Sequence, residues 1–441
     1  MQIDTLIRTR WVIPVEPEGL VLEDHAVAVT GGRIVGILPS AEAASAFTPT
    51  ETVDLPNHAL IPGLVNAHTH AAMTLMRGIA DDLQLMDWLT HHIWPLEARW
   101  VNESFVRDGS ELAIAEMLRG GITCFNDMYF FPEVTADVAT RAGIRAMLGM
   151  IVVDFPSAWA NDAEDYIARG LNLHDALRHH PLVNAAFAPH APYSVSDTPF
   201  SRIKTLADEL DRPIHVHLHE TLSELDQSNA SHGMRPIKRF QQLDLLGPNL
   251  LAVHMTQLTD DEIAAVSTAG ASVVHCPESN MKLASGFCPV QRLLLAGINV
   301  ALGTDGAASN NDLDILGEMR TAALLAKVVA GDASAVPAAT ALRMATLNGA
   351  RALGLEEELG SLVAGKSADI TAINLDTLET LPAYDPISDI VYAAGRQQVT
   401  DVWVAGKHLL NGRKLTRMDE ASIRAKALNW RQKLIEPTAQ K

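Results

Sequence analysis

The sequence feature that most constrains the fold is an alternation of apolar, β-branched runs with helix-like segments through the middle of the chain. There are eight such runs, and polar residues lie at or near the end of each. Near-continuous apolar strands indicate burial on both faces, which is typical of a parallel sheet covered by helices. Eight β–α units in succession predict an α/β fold of the (β/α)₈ TIM-barrel type. The runs end at His70, Tyr129, Asp154, Tyr193, Glu220, Gln257, Asn280 and Ala308, and helix-like segments between them include 197–210, 259–269 and 312–330.

Both ends of the chain have the pattern of β-structure instead. Residues 25–38 alternate apolar and polar side chains on either side of Gly31 and Gly32, which predicts a hairpin. Residues 365–375 and 399–410 are strand-like, with Gly406 in a turn position. We therefore predict a small, β-sandwich-like module made from residues 1–58 and 365–441, and a barrel domain made from residues 59–364.

Charge and cysteine content limit the partners and the compartment. The 441 residues include 34 Lys and Arg against 53 Asp and Glu, a net charge of −19, which disfavours nucleic acid and anionic membranes as partners. The chain shows neither a signal sequence nor an apolar run of about 18 residues. Its three cysteines fit no disulfide framework or zinc pattern. We expect a cytoplasmic protein that acts on a small molecule.

Histidines concentrate at the ends of the proposed strands, where the active site of such a barrel lies. Two of them, His68 and His70, are two residues apart, so their imidazoles point to the same side of a strand and can bind one ion. The alternative interpretation is a pair of hydrogen-bonded polar residues in a loop. The histidines at strand ends are His68, His70, His190, His215, His217, His219, His254 and His275.

The segment HVHLHE, residues 215–220, offers three histidines at period two, and periodicity alone does not select the metal ligand. A third imidazole would complete an open catalytic zinc site with water in the remaining position. Glu220 is placed to move protons at that site. We interpret His215 and His219 as packing residues or as support for the ligands.

The last polar strand ends supply a carboxylate and further imidazoles. Asp305 closes the eighth run as a candidate ligand, and its alternative role is the N-cap of the following helix. We expect either His254 or His275 to share the proton of the hydrolytic water, and we favour His254. His275 could equally form only part of the wall.

The order of these motifs resembles the amidohydrolase superfamily. HTH follows PGLVNA, then come HLHE, HCPESN and TDGAASNN, and GSLVAGKSADITAINL is similar to the closing segment of that family. The stretch from Trp94 to Glu133 and APHAPY around His190 look like the branch of 5′-methylthioadenosine/S-adenosylhomocysteine deaminases. The resemblance covers about residues 59–375. It implies a zinc-dependent aminohydrolase of adenosine-type nucleosides, and we expect a homo-oligomer, either a dimer or a tetramer.

The same resemblance implies roles for individual residues. The fourth run carries His190 where the binuclear family members have a bridging lysine, so one divalent metal is expected, most simply Zn²⁺. The similarity of PLEARW places Glu97 at the ribose hydroxyls, although without the family it would be interpreted as a solvated glutamate on a helix. The implied metal ligands are His68, His70, His217 and Asp305, the implied catalytic residues are Glu220, His254 and Asp305, and the implied substrate contacts are Glu97, His190, Glu220 and Asp305.

The substrate expectation rests on a missing charge. No arginine lies between Arg145 and Arg169, whereas the homocysteine carboxylate of S-adenosylhomocysteine should require one in this region. Met150, Phe155 and Trp159 predict an apolar pocket that favours a methylthio group. The alternatives are hydrolysis of guanine, cytosine, an N-formimino acid or a chlorotriazine by the same kind of site, and a non-catalytic barrel scaffold.

Overall fold

The computed structural model describes residues 1–435, and its strands form two eight-stranded sheets. The first four strands, β1 to β4, are Gln2–Val12, Leu22–Thr30, Arg33–Pro39 and Thr48–Pro62. The next eight, β5 to β12, are Leu64–Thr69, Ile122–Asp127, Arg145–Val152, Val183–Pro189, Ile214–Leu218, Leu250–His254, Ser272–His275 and Val300–Leu302. The last four, β13 to β16, are Ile370–Asn374, Val399–Val404, Lys407–Asn411 and Lys414–Leu415.

The helices lie mainly between the strands of the second sheet. In chain order α1 to α9 are Ser40–Ala46, Leu85–Trp88, Trp94–Trp100, Glu103–Arg119, Pro132–Ala142, Ala163–Leu177, Asp197–Leu210, Leu222–His232 and Pro236–Gln242. The remaining ones, α10 to α17, are Asp260–Ala269, Pro277–Lys282, Val290–Leu295, Ile315–Ala330, Ala338–Met344, Leu347–Ala352, Pro386–Tyr392 and Glu420–Ile435. A 3₁₀ helix (Ala71–Met76) and a π-helix turn (Leu89–Ile93) follow β5.

The second sheet is the predicted (β/α)₈ barrel. Strands β5 to β12 are neighbours in chain order, and every pair is parallel. The barrel closes where β12 contacts β5, and just beyond β12 the backbone N–H of Asp305 donates to the carbonyl of His68 at 3.0 Å. The strands are buried along almost their whole length, as their apolar composition predicted. Because the strands are parallel, all their carboxyl ends lie at one mouth of the barrel.

The first sheet joins the two ends of the chain. It is one mixed sheet with the strand order β16-β15-β14-β13-β4-β1-β2-β3. The predicted hairpin is present as β2 and β3, and its turn is formed by Gly31 and Gly32 with φ of 57° and 79°. Strand β4 continues to Pro62, so the domain boundary predicted at residue 58 falls inside this strand.

A buried ion pair connects the barrel to this sheet. Arg145, at the start of β7, donates from Nε and Nη2 to the two carboxylate oxygens of Asp369, each at 3.1 Å. Both side chains are almost fully buried, and this two-point contact joins the start of β7 to the residue before β13. Within residues 1–435 there is no helix with the length and hydropathy required to cross a membrane.

Candidate active site

Four predicted ligands meet at the mouth of the barrel. His68 and His70 come from the end of β5, His217 from β9 and Asp305 from the segment after β12. One ligand atom from each lies within 4.8 Å of all the others. The Nε2 atoms of His68 and His70 lie 3.3 and 3.2 Å from Oδ1 of Asp305, and Nε2 of His217 lies 3.2 Å from Nε2 of His68. Three imidazole nitrogens and one carboxylate oxygen converge on one point.

Backbone carbonyls hold two of these imidazoles in position. Nδ1 of His70 donates to the carbonyl of Met128 at 2.6 Å, and Nδ1 of His217 donates to the carbonyl of His190 at 2.7 Å. A carbonyl only accepts, so Nδ1 of each ring carries a proton, and Nε2, which faces the other ligands, is the nitrogen that can coordinate a metal. This arrangement fits metal coordination and explains why both rings turn inward.

Asp305 is held as an ionised carboxylate. Its Oδ2 accepts from the hydroxyls of Ser279 and Ser309 at 2.6 and 2.9 Å, and its Oδ1 accepts from the backbone N–H of Gly306 at 2.8 Å. Burial raises the pKa of Asp305, but the hydrogen bonds from His68 and His70 outweigh it and hold that pKa well below its usual range. The alternative role as a helix N-cap is not observed.

The N-cap of the following helix, α13, is instead Asp314, whose side chain accepts a hydrogen bond from the N–H of Leu316. Asp305 is therefore free to serve the ligand cluster. Burial also lowers the pKa of His68 to about 4 and the pKa of His217 well below 6.5, so these imidazoles are neutral and can donate lone pairs to a metal. At His70 burial is outweighed by the hydrogen bond and charge of Asp305, which raise its pKa to about 9, so this ring would have to release a proton to bind a metal. Three imidazoles with an anionic carboxylate are the donor set of an open catalytic site for a divalent metal.

Glu220 and His254 lie beside the ligand cluster. Glu220 follows β9 and its Oε2 is 3.8 Å from Nε2 of His254, which ends β10. Burial raises the pKa of Glu220, which favours the protonated form of its carboxyl group. Nδ1 of His254 forms a hydrogen bond of 2.8 Å with Oδ1 of Asn280, which orients the ring toward Glu220. An acid–base pair thus stands next to the metal ligands.

The cavity above these residues has apolar walls and one further carboxylate. Glu97, on α3, accepts a hydrogen bond of 2.8 Å from the hydroxyl of Tyr129. Burial raises the pKa of Glu97 to about 7, against the opposing effect of Tyr129. The side chain is therefore not the solvated glutamate of the alternative interpretation. The walls include Trp88, Trp94, Phe130, Phe155 and Leu283.

His190 also faces the cavity, as predicted. Its ring packs edge-to-face on the ring of His217, with centroids 4.9 Å apart, and its Nδ1 bonds to the hydroxyl of Ser194 at 2.8 Å. Burial lowers the pKa of His190 to about 3, so the ring is neutral and has Nε2 available for a ligand in the cavity.

Three other histidines at strand ends do not line the cavity. His215 is fully buried, and its Nε2 forms a hydrogen bond with Nδ1 of His68. His219 is fixed between the carbonyl of Gln257, at 3.0 Å from its Nδ1, and the N–H of Ile237. His275 is buried on β11 and its Nδ1 has no hydrogen-bond partner among residues 1–435.

The apolar pocket was predicted with partly wrong residues. Of the three side chains proposed to line it, only Phe155 does so. Met150 packs instead against Gly170 of α6, and Nε1 of Trp159 donates to Glu133 at 3.1 Å. Both are fully buried, because β7 and the loop after it are covered by helices on their outer side.

Several residues that support the site were not predicted from the sequence. Tyr129 ends one of the predicted runs, but nothing in the pattern indicated that its hydroxyl reaches Glu97. Ser279, Asn280 and Ser309 lie within the quoted motifs HCPESN and TDGAASNN, and their contacts with Asp305 and His254 could have been inferred only from the fold.

Comparison with known proteins agrees with this geometry. The sequence pattern described as the amidohydrolase family matches residues 59–409. A 5-methylthioadenosine/S-adenosylhomocysteine deaminase of Teredinibacter turnerae is 49% identical over 98% of this chain and 98% of its own length. The zinc-bound crystal structure of an adenosine deaminase from Xanthomonas campestris is 55% identical, covers 98% of this chain and 99% of its own, and superposes with a TM-score of 0.97. Atrazine chlorohydrolase from Arthrobacter aurescens, complexed with zinc, is 25% identical over 97% of this chain and 99% of its own, with a TM-score of 0.90.

We expect removal of the metal to lower thermal stability. Treatment with a chelator should lower the melting temperature by at least about 5 °C, because a ligand that binds only the folded state stabilises it. Adding back Zn²⁺ should restore it. His217→Ala should lose both the metal, measured by elemental analysis, and the response to Zn²⁺, whereas the exposed His232→Ala should behave as the unmodified protein. An equal response in both variants would contradict the assignment of the ligands.

Proposed function

The chain belongs to the amidohydrolase family, and from this premise we propose that it deaminates an adenosine-type nucleoside by hydrolysis, with 5′-methylthioadenosine preferred. The products are the inosine analogue and ammonia. One arrangement supports this most directly: the Glu220–His254 pair and the carboxylate of Glu97 line the same cavity and offer two different functions there. The pair can move protons at a purine ring, and Glu97 can accept hydrogen bonds from two vicinal ribose hydroxyls.

We assign the metal to His68, His70, His217 and Asp305, and we propose Zn²⁺, since the donor set is three imidazoles and one carboxylate. The metal, when bound, lowers the pKa of a water molecule to about 7 and so supplies the nucleophile at neutral pH. Other divalent metals also accept nitrogen and oxygen ligands, so elemental analysis of the purified protein decides the identity.

The residues of the chain then move the protons of the reaction. Glu220 gives a proton to N1 of the adenine ring as water adds at C6, and it then takes the hydroxyl proton of the C6 adduct and delivers it to the leaving amine. The other proton of the attacking water passes to Asp305 or His254 and returns to Glu220 after ammonia has left, which restores the enzyme. His190 contacts the substrate from the opposite wall. The balance is one nucleoside and one water giving one inosine-type nucleoside and one ammonia.

The substrate preference follows from an apolar extension of the cavity beyond Glu97. This extension has a volume of about 330 Å³ and shares Trp94, Glu97, Phe130 and Phe155 with the main cavity. Within the described residues neither an arginine nor a lysine lines it. A methylthio group can be buried there at no electrostatic cost, whereas the carboxylate of a homocysteine chain would be left without a positively charged partner.

The compartment, the assembly and the domain division belong to the same proposal. All three cysteines are free and buried, which agrees with a reducing, cytoplasmic environment. We propose a homo-oligomer, dimer or tetramer, and a catalytic domain of residues 59–364 with the module of residues 1–58 and 365–441 as its support.

Glu220→Gln should lower kcat for 5′-methylthioadenosine by about 10²- to 10⁴-fold, because an amide cannot transfer the proton. The variant should keep its metal and its melting temperature. Glu209→Gln, an exposed change on α7, provides the matched control and should leave kcat unaltered. Ammonia release measures the rate, and undiminished turnover in Glu220→Gln would rule out its role as proton shuttle.

A substrate comparison tests the specificity. We expect kcat/KM to be highest for 5′-methylthioadenosine, and at least about tenfold lower for S-adenosylhomocysteine, a difference of about 1.4 kcal/mol. Free adenine should be the poorest, because it has no ribose for Glu97. The assay follows the absorbance change from adenine to hypoxanthine rings. Turnover of guanine or a chlorotriazine, with no nucleoside accepted, would instead favour the rival hydrolases.

A further inference from the structure

A second cleft, separate from the active-site cavity, is lined by arginines. It has a volume of about 650 Å³ and lies between α4, α17 and the loops before β14 and β16. Among residues 1–435 only two carboxylates line it, although the chain as a whole carries a net charge of −19. We call it the arginine cleft, and its six arginines are Arg77, Arg119, Arg396, Arg413, Arg424 and Arg431. They come from widely separated parts of the sequence, so the fold and not a local charge run creates this positive site.

Carboxylates pair with only three of these arginines within residues 1–435, and Arg396 also lies 3.5 and 4.0 Å from carboxylate oxygens of Asp312 and Asp314. Glu116 accepts from Arg77 and Arg396, each at 3.1 Å, and Glu420 accepts from Arg119 at 3.2 Å. The other three arginines form no ion pair with a carboxylate within residues 1–435. The side of the cleft formed by α17 therefore keeps an unbalanced positive charge.

Arg413 is held in place without a counter-charge. Its Nη1 donates to the carbonyls of Arg119, Arg396 and Val399 at 2.6 to 2.7 Å, and these bonds leave its Nε and Nη2 without an acceptor in the described chain. Burial and the neighbouring positive charge of Arg119 lower the pKa of Arg413. A fixed guanidinium among like charges is ready to accept an anion with little loss of side-chain entropy.

We propose that the arginine cleft binds a small molecule with two or more adjacent phosphate groups. Guanidinium groups bind phosphate oxygens in pairs, and several arginines around one cleft match several phosphates. Apolar side chains on the facing sides of α4 and α17, including Leu112, Ile423 and Leu428, leave room for an organic portion. The acidic surface elsewhere disfavours a long nucleic acid, which would extend beyond the cleft.

Arg77 connects this cleft to the candidate active site. It directly follows the 3₁₀ helix that begins after His70, and its Nη1 donates at 2.7 Å to the carbonyl of Asn311, in the segment that follows Asp305. An anion that draws Arg77 away from Glu116 would shift the loops next to the metal ligands His70 and Asp305. An effect on turnover rests on the proposed function, so binding itself is the primary measurement.

The test is calorimetric titration of pyrophosphate into the metal-loaded full-length protein, with sodium chloride of equal ionic strength as the blank. We expect saturable binding at one site per chain, at least tenfold weaker in Arg424→Gln/Arg431→Gln. The matched control, Arg178→Gln/Arg202→Gln, removes two exposed arginines elsewhere and should bind as the unmodified protein. Two further outcomes would overturn the proposal.

One is heat that persists unchanged in the cleft variant, since pyrophosphate would then be chelating the metal. The other is a change in the molar mass by light scattering in the cleft variant, without any pyrophosphate binding to the unmodified protein. That result would make the cleft a contact between copies of the chain.

A different observation carries a second inference, at the metal ligand His68. Nδ1 of His68 bonds to Nε2 of His215 at 2.8 Å, and both rings are fully buried. The other two ligand histidines bond to carbonyls, which accept only. An imidazole can either donate or accept, so the position of the proton on His68 depends on His215.

The geometry points to His215 as a positioning residue that sets the metal affinity of the site. For the lone pair of His68 Nε2 to face the other ligands, its Nδ1–H must donate to Nε2 of His215. His215 then carries its own proton on Nδ1, which has no acceptor among residues 1–435. This inference rests on the proposed metal site, and an unmodified protein that bound no metal would refute that site itself.

Metal dissociation constants measured by competition with a chelating dye test the role of His215. His215→Leu, which removes the acceptor, should weaken metal binding by about 10- to 100-fold. His215→Gln retains an acceptor oxygen and should recover much of the affinity. His275→Leu removes an equally buried histidine that does not bond to a ligand and should bind metal normally. If His215→Leu and His215→Gln had lower melting temperatures but unchanged metal affinity, His215 would be a packing residue only. If His215→Leu did not fold, unchanged metal affinity in His215→Ala would lead to the same conclusion.

Discussion

The rest of the site depends on one contact, the closure of the barrel between the ends of β5 and β12. The N–H of Asp305 donates to the carbonyl of His68 at 3.0 Å, and this brings an anionic carboxylate from residue 305 against two imidazoles from residues 68 and 70. Buried groups of this kind are costly unless they are paired or bound to a metal. The serine hydroxyls on Asp305 and the carbonyls behind His70 and His217 satisfy the remaining polar atoms, so the cluster is stable in the one geometry that a divalent metal requires.

Much of this could be predicted from sequence because parallel strands share a direction. Once eight β–α units are recognised, polar residues at strand ends must gather at one mouth, and His68, His70, His217 and Asp305 follow without knowledge of any contact. The choice of His254 over His275 also agrees with the geometry, since only His254 reaches Glu220. Period-two spacing could not separate His215 from His217. That distinction depends on how far along β9 each side chain lies, and only the assembled barrel shows that His215 is one layer deeper, against Nδ1 of His68.

The predictions that failed required contacts between distant segments. Met150 and Trp159 are apolar residues near the right loop, but hydrophobicity does not tell which side of β7 faces substrate and which faces α6. The hydroxyl of Tyr129 reaches Glu97 across 32 residues, and the arginine cleft gathers side chains from residue 77 to residue 431. The net charge of −19 describes the chain as a whole, and it does not predict a local cleft lined mainly by arginines.

Glu97 shows how the site exchanges stability for recognition. Its pKa rises from 4.5 to about 7 in the folded chain, mainly through burial, so the folded protein binds a proton that the unfolded chain has released in this range. Burying Glu97 therefore lowers the free energy of unfolding by an amount that depends on pH. This destabilisation is absent below about pH 4.5, grows as the pH rises to about 7, and is constant above it. When ionised, the carboxylate has one hydrogen-bond partner among residues 1–435, the Tyr129 hydroxyl, and two ribose hydroxyls would satisfy its remaining lone pairs. A substrate with those hydroxyls therefore offsets a cost that the empty cavity bears, while a free base leaves the carboxylate desolvated and unpaired, which is a physical basis for preferring nucleosides over bases.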